Sequence, residues 1–99
     1  MKINLTESKY KTKQWKAFRL SILSRDEYTC QECKRKGKRT TANTVHHIEM
    51  GNEELFYVKD NLISVCAECH NSFHDRNIDE LTDAGKRWQI RRRRGLIGK

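Results

Sequence analysis

Apolar side chains fall at Trp15, Phe18 and Ile22, spaced by three and four residues, with Leu23 beside the same stripe. Residues at that spacing share one helical face, so 10–25 predicts an amphipathic helix whose aromatic rings enter the core rather than stack on bases. Asp26 to Thr29 leads to Cys30, and 34–43 reads as a polar loop around Gly37. Thr44 to Ile48 predicts a short strand, Gly51 to Glu54 a turn, and 62–65 a second strand. Leu55 to Val58 is an apolar patch expected to pack beneath a site. From Cys66 to about Asn77 neither glycine nor proline interrupts the chain, and a helix is predicted. Thr82 or Asp83 can cap a last helix carrying Trp88 and Ile90, with a frayed basic tail beyond it. With no repeat and no proline, 1–99 reads as one domain: a core over about 15–77, a basic N-terminal helix at 10–25 and a basic C-terminal tail at 86–99.

Composition makes that domain hard to hold together. Hydrophobic residues are 35% and charged residues 34%, with a mean hydropathy of −0.95. Little apolar surface is available to offset ordering entropy, so a staple is expected. Cys30-x2-Cys33 and Cys66-x2-Cys69 have knuckle spacing, and their four thiolates can close on one tetrahedral zinc. The domain should then unfold without zinc. Two disulfides are the alternative, but the chain starts Met1-Lys2-Ile3-Asn4 with no apolar signal segment, and x2 spacing suits a metal. No apolar run approaches the ~20 residues needed to span a bilayer, so a soluble, cytoplasmic protein is expected.

Net charge is +8 and unevenly spread. Residues 1–25 carry seven cations against Glu7. Lys34, Arg35, Lys36, Lys38 and Arg39 follow the first knuckle, and Arg91, Arg92, Arg93 and Arg94 lie in an acid-free terminal stretch. Basic flanks around an acidic centre suit a polyanion gripped from several sides. Lys34, Arg35 and Lys36 are candidate phosphate contacts, and Arg91 to Arg94 is expected to be a flexible phosphate-binding arm. Nothing reads as a base-reading helix, so weak sequence specificity is expected.

All four histidines lie between positions 46 and 74. Sulfur alone satisfies a structural zinc, which leaves the imidazoles available. Four residues apart on a helix, His70 and His74 can face one ion. Adjacent strand residues point to opposite faces, so His46 and His47 are unequal: one can ligate while the other stays a free base. The residues alone do not say which.

The motifs Arg25-Asp26-x-Tyr28-x-Cys30, Val45-His46-His47-Ile48, Asn61-Leu62-Ile63 and Cys66-Ala67-Glu68-Cys69-His70-Asn71-x2-His74 resemble the HNH nuclease family, over about Trp15 to Arg76. The resemblance implies an α+β fold: a small ββα-metal (His-Me finger) core with a CxxC/CxxC zinc module and flanking helices. It implies single-metal hydrolysis of double-stranded DNA, with His47 as general base and Asn61 fixing the loop that presents it. His46, His70 and His74 would hold the catalytic divalent ion, while Cys30, Cys33, Cys66 and Cys69 bind structural zinc. Many relatives carry Asp in place of His46, so three imidazoles shift preference from Mg toward Mn, Co, Ni or Zn. One active site implies nicking by a monomer or weak dimer. Small free-standing members of this layout resemble those of bacteriophages, implying work beside the terminase large subunit in DNA packaging, in a bacterial or phage-infected cytoplasm. The alternative is a non-catalytic zinc-ribbon module that binds nucleic acid.

Overall fold

The computed structural model describes residues 10–75, 77 and 80–98; Arg76 and the cations Lys2, Lys9 and Lys99 lie outside the described residues. The first helix, α1 (Lys13–Arg25), begins three residues later than the apolar stripe suggested. Thr12 caps it, its Oγ1 accepting from the Trp15 N–H at 3.1 Å. Trp15, Ile22 and Leu23 are buried, and Phe18 packs at the edge of the same core. The aromatic stripe is therefore core.

At the end of α1 the Arg-Asp motif has a structural meaning. Arg25 makes a two-pronged pair with Asp26 and donates to the Lys59 and Leu62 carbonyls, while Asp26 Oδ2 accepts from Ser64 N–H at 2.9 Å. A buried carboxylate with a bidentate guanidinium and a backbone donor is satisfied on every side. It ties α1 to β2 (Leu62–Val65). Glu27 and Tyr28 then turn left-handed, at φ 55° and 54°. That reversal is costly for non-glycine residues, and it delivers Cys30 to the N-cap of α2 (Gln31–Arg35).

β1 (Thr44–His47) pairs antiparallel with β2, setting Val45 opposite Ser64 and His46 opposite Ile63. The connection between them is longer than a tight hairpin and holds two 3-10 turns, Glu53–Leu55 and Lys59–Asn61. After β2 comes α3 (Ala67–Ser72), with Cys66 at its N-cap.

Two expectations are corrected downstream. The helix predicted to Asn77 stops at Ser72, because Phe73 is fully buried and Thr82 takes over the free carbonyls. Its hydroxyl donates to Ser72 O at 2.6 Å and its N–H to Phe73 O at 2.9 Å. His74 lies instead in β3 (His74–Asp75), paired with β4 (Glu80–Leu81). The frayed tail is also overturned. Residues 83–93 form α4 (Asp83–Arg93), capped by Thr82, with Trp88 buried, and beyond it Ile97 returns to the core. Gly85 lets α4 approach: a Cβ there would sit 2.8 Å from the Phe73 carbonyl oxygen.

Candidate active site

Each cysteine knuckle is built the same way, with one cysteine capping a short helix and the other three residues on. Cys33 N–H points at Cys30 Sγ (3.4 Å), and Cys33 Sγ is 3.6 Å from Cys69 Sγ across the knuckles. All four sulfurs lie within 4.8 Å of one another and none is in a disulfide. Burial pushes the Cys30 and Cys69 thiols up, whereas the Thr40 hydroxyl beside Cys33 holds that thiol below its usual range. Four converging sulfurs whose buried members resist ionisation fit a cation that supplies the missing charge. This cluster could hold zinc.

The histidines divide as adjacent strand residues should. His46 is 1% exposed, and its ring lies 5.2 Å from His70, 5.5 Å from His74 and 4.9 Å from Phe73. One nitrogen from each of His46, His70 and His74 comes within 4.8 Å of the other two. His46 Nε2 is buried with no hydrogen-bond partner, which costs free energy unless a Lewis acid or donor meets it. Burial first, then the neighbouring imidazoles, pushes its pKa down to about 3, so it stays neutral with a lone pair to offer. The trio fits a divalent ion. His70 and His74 meet across a helix-to-strand turn rather than on one helical face as the spacing suggested.

His47 stands apart from the trio. It stacks on Trp15 (5.2 Å between centroids) and packs against Phe56 (4.6 Å). Its Nε2 is 3.1 Å from the Phe56 carbonyl oxygen and its Nδ1 is 3.1 Å from Tyr10 Oη. A carbonyl can only accept, so Nε2 carries the proton and Nδ1 the lone pair. Burial holds the His47 pKa below its ordinary value, partly offset by the Phe56 contact. Of the apolar patch 55–58, Phe56 lies beneath the site.

Asn61 is fully buried and braces the loop after β1. Its Oδ1 accepts from Glu49 N–H at 2.7 Å, and its Nδ2 donates to the Glu49 and Leu55 carbonyls at 3.3 and 3.2 Å. It touches no imidazole among its hydrogen bonds, so it positions the loop rather than reacting. A cleft of about 310 Å³ brings His46, His47 and His70 together with Tyr10, Glu49 and Phe56.

The basic residues are less uniform than the sequence implied. Lys34 and Lys36 are exposed, but Arg35 is tied to buried Glu32. Arg91 to Arg94 is not a flexible arm. Arg91 lies over the Trp88 ring at 4.7 Å, Arg92 pairs with Asp60 at 3.2 Å, and Arg93 pairs with Glu49 at 3.2 Å. Arg93 and Arg94 remain exposed, Arg93 at the cleft's rim beside Glu49. Sequence reasoning missed Tyr10 and Glu49; neither spacing nor composition marks them, because both act through long-range contacts.

This arrangement, a two-stranded antiparallel pair followed by a short helix with imidazoles from both, defines a ββα-metal nuclease core. Residues 30–76 match the family model described as HNH endonuclease. Among solved structures, the HNH endonuclease of the deep-sea thermophilic bacteriophage GVE2, determined with manganese ion, is similar to this chain. It shares 35% identity over 68% of this chain and 75% of that one, with a TM-score of 0.65. A search of the curated proteins gives no match. The chain belongs to the HNH endonuclease family, metal-dependent nucleases that act on DNA. No described helix is long and apolar enough to cross a membrane.

Proposed function

We propose that the whole chain, 1–99, is one catalytic domain that hydrolyses a DNA phosphodiester, with His47 as general base and Asn61 as the residue that positions it. The observation carrying this reading is the separation of His47 from the His46, His70, His74 trio while all but His74 line one cleft. The Phe56 carbonyl orients the His47 ring and leaves Nδ1 as the basic atom. Stacking on Trp15 restricts the ring's rotation and so fixes the direction of the Nδ1 lone pair, which accepts from Tyr10 Oη in this structure. Taking a water's proton as it attacks phosphorus is worth about 10²–10⁴-fold.

His46, His70 and His74 would hold the divalent ion, and an ion there supplies Lewis-acid stabilisation of charge that builds on the phosphate. Imidazole donors favour Mn, Co, Ni or Zn over Mg, and the relative determined with manganese is consistent with that order. Cys30, Cys33, Cys66 and Cys69 would hold structural zinc. Exposed Lys34, Lys36, Arg93 and Arg94 would bind phosphates without reading bases. One active site per chain favours nicking by a monomer or weak dimer, with low sequence specificity. A role beside a terminase large subunit in phage DNA maturation, in the cytoplasm of an infected cell, belongs to the same proposal and rests on the resemblance of this small layout to bacteriophage members of the family.

Plasmid nicking with Mg, Mn, Ni and no metal, on wild type and His47→Ala, tests the reading. Metal-dependent nicking lost in folded His47→Ala is the expected result. Wild type that binds but never cuts with any ion would leave a zinc-ribbon binding module instead.

A further inference from the structure

Among the described residues, the hydroxyl at the basic atom of His47 comes from outside the 30–76 match. Tyr10 Oη lies 3.1 Å from His47 Nδ1, and its ring meets Trp15 edge-on at 5.0 Å, Phe56 at 5.3 Å and His47 at 5.7 Å. The residue is 40% exposed and lines the cleft. Since Nε2–H is directed at the Phe56 carbonyl, Nδ1 has only a lone pair, and the phenol must be the donor in this contact. Partial burial also keeps the phenol protonated, its pKa being above the ordinary value. A lone pair that accepts the phenol's proton is not open to a water's.

We propose that Tyr10 is a latch on the general base: in the DNA-free protein its hydroxyl covers His47 Nδ1, and a DNA strand entering the cleft displaces the ring and opens that nitrogen to the attacking water. The inference rests on the assignment of His47 as base. Its physical content is competition: ring and strand claim the same side of the cleft, so DNA binds the unlatched state better and shifts the population toward it. Tyr10 has an exposed edge and precedes the Thr12 cap, so its ring can leave Trp15, Phe56 and His47 without breaking a backbone hydrogen bond of α1. The latch would keep the nuclease's base covered until a substrate is present.

The test uses the full zinc-loaded chain. Carbethoxylation of His47 by diethyl pyrocarbonate, read by peptide mass spectrometry, reports access to the ring nitrogen independently of cleavage. A hydrogen bond of this kind is worth about 0.5–1.5 kcal/mol net, so Tyr10→Phe should raise His47 reactivity about two- to tenfold. Cleavage kcat/KM should rise by a similar factor, with kcat at saturating DNA unchanged. Tyr10→Leu, which also removes the ring's cover, should react at least as fast; circular dichroism and zinc content check that both variants are folded.

Unchanged His47 reactivity in both variants overturns the latch. So does slower cleavage by Tyr10→Phe, which would make the phenol a proton relay or water-positioning group. Should His47→Ala cut as fast as wild type, the base assignment falls, and the latch's role falls with it. A dead His47→Ala beside an unreactive Tyr10→Phe removes the latch alone.

Discussion

The cysteine and histidine clusters respond to burial in opposite ways. Burial pushes the Cys30 and Cys69 thiols up, away from the thiolate that binds metal, while it pushes His46 down to about 3, into the neutral form that binds metal. Cys30 and Cys69 therefore need an ion's charge to become ligands. His46 is a ready ligand before any ion arrives. Donor number separates them further: four sulfurs close a tetrahedron, whereas three nitrogens beside an open cleft leave room for a substrate oxygen. On the proposed reading, one cluster would hold shape and the other would exchange its ion.

Zinc removal should break that contrast most severely. Structural zinc in comparable small domains contributes roughly 10–16 kcal/mol of apparent binding free energy, at or above the about 5–15 kcal/mol that keeps most domains folded. Chelation of the sulfur-bound ion, or Cys69→Ser, is expected to abolish the cooperative melt in circular dichroism. Withdrawing the ion from the histidine trio should leave the melt in place. A stable fold in a zinc-free Cys69→Ser protein would erase the distinction between the clusters.

Next in size is His47→Ala. Losing a general base should lower cleavage about 10²–10⁴-fold, with fold and zinc content unchanged. A loss of that size accompanied by zinc release would mean that His47 supports the structure rather than the reaction. Asn61→Ala probes the frame instead. It removes the acceptor of the Glu49 N–H and the donor to the Glu49 carbonyl, while the Leu55 carbonyl keeps the Val58 N–H, and should cost about 1–3 kcal/mol in chemical denaturation. Because the loop it braces adjoins His47, kcat should fall as well, with KM little changed.

Much of this was legible in the sequence, and for a reason that also marks where legibility ended. The two strands, the knuckles and the inequality of His46 and His47 follow from local rules: β periodicity, CxxC spacing and the alternation of strand faces. The end of α3 at Ser72 was hidden because it depends on Thr82 binding the Ser72 and Phe73 carbonyls from ten residues away. The terminal arginines looked like a tail because their partners, Glu49 and Asp60, are more than thirty residues upstream. Tyr10 was invisible for the same reason, its contact with His47 spanning 37 positions.

The pH dependence sharpens the contrast through the base itself. As the proposed general base His47 would act only when neutral, and its folded pKa lies below the ordinary 6.5 because of burial. Activity should therefore be full at neutral pH and fall as the solution is acidified, with the midpoint of the acidic limb below 6.5. A cation held next door by His46 would push the midpoint the same way. A log kcat against pH plot with a midpoint above 7 would contradict the burial of His47 in the working enzyme.

The smallest effect expected belongs to Arg93, and it separates phosphate binding from packing within one run of arginines. The Arg93 side chain is 63% exposed, so its pair with Glu49 should contribute at most about 1 kcal/mol, and Arg93→Ala should barely move the melt. If Arg93 exchanges Glu49 for a DNA phosphate, the same variant should reduce the slope of log K against log salt by about 0.9. Arg91 lies over Trp88, so Arg91→Ala should lower the melting temperature and leave the salt slope alone. The two neighbours thus make opposite predictions on two measurements. Equal salt slopes for both variants would return the run to a simple cationic patch, with no division between the arginine paired with Glu49 and the arginine packed on Trp88.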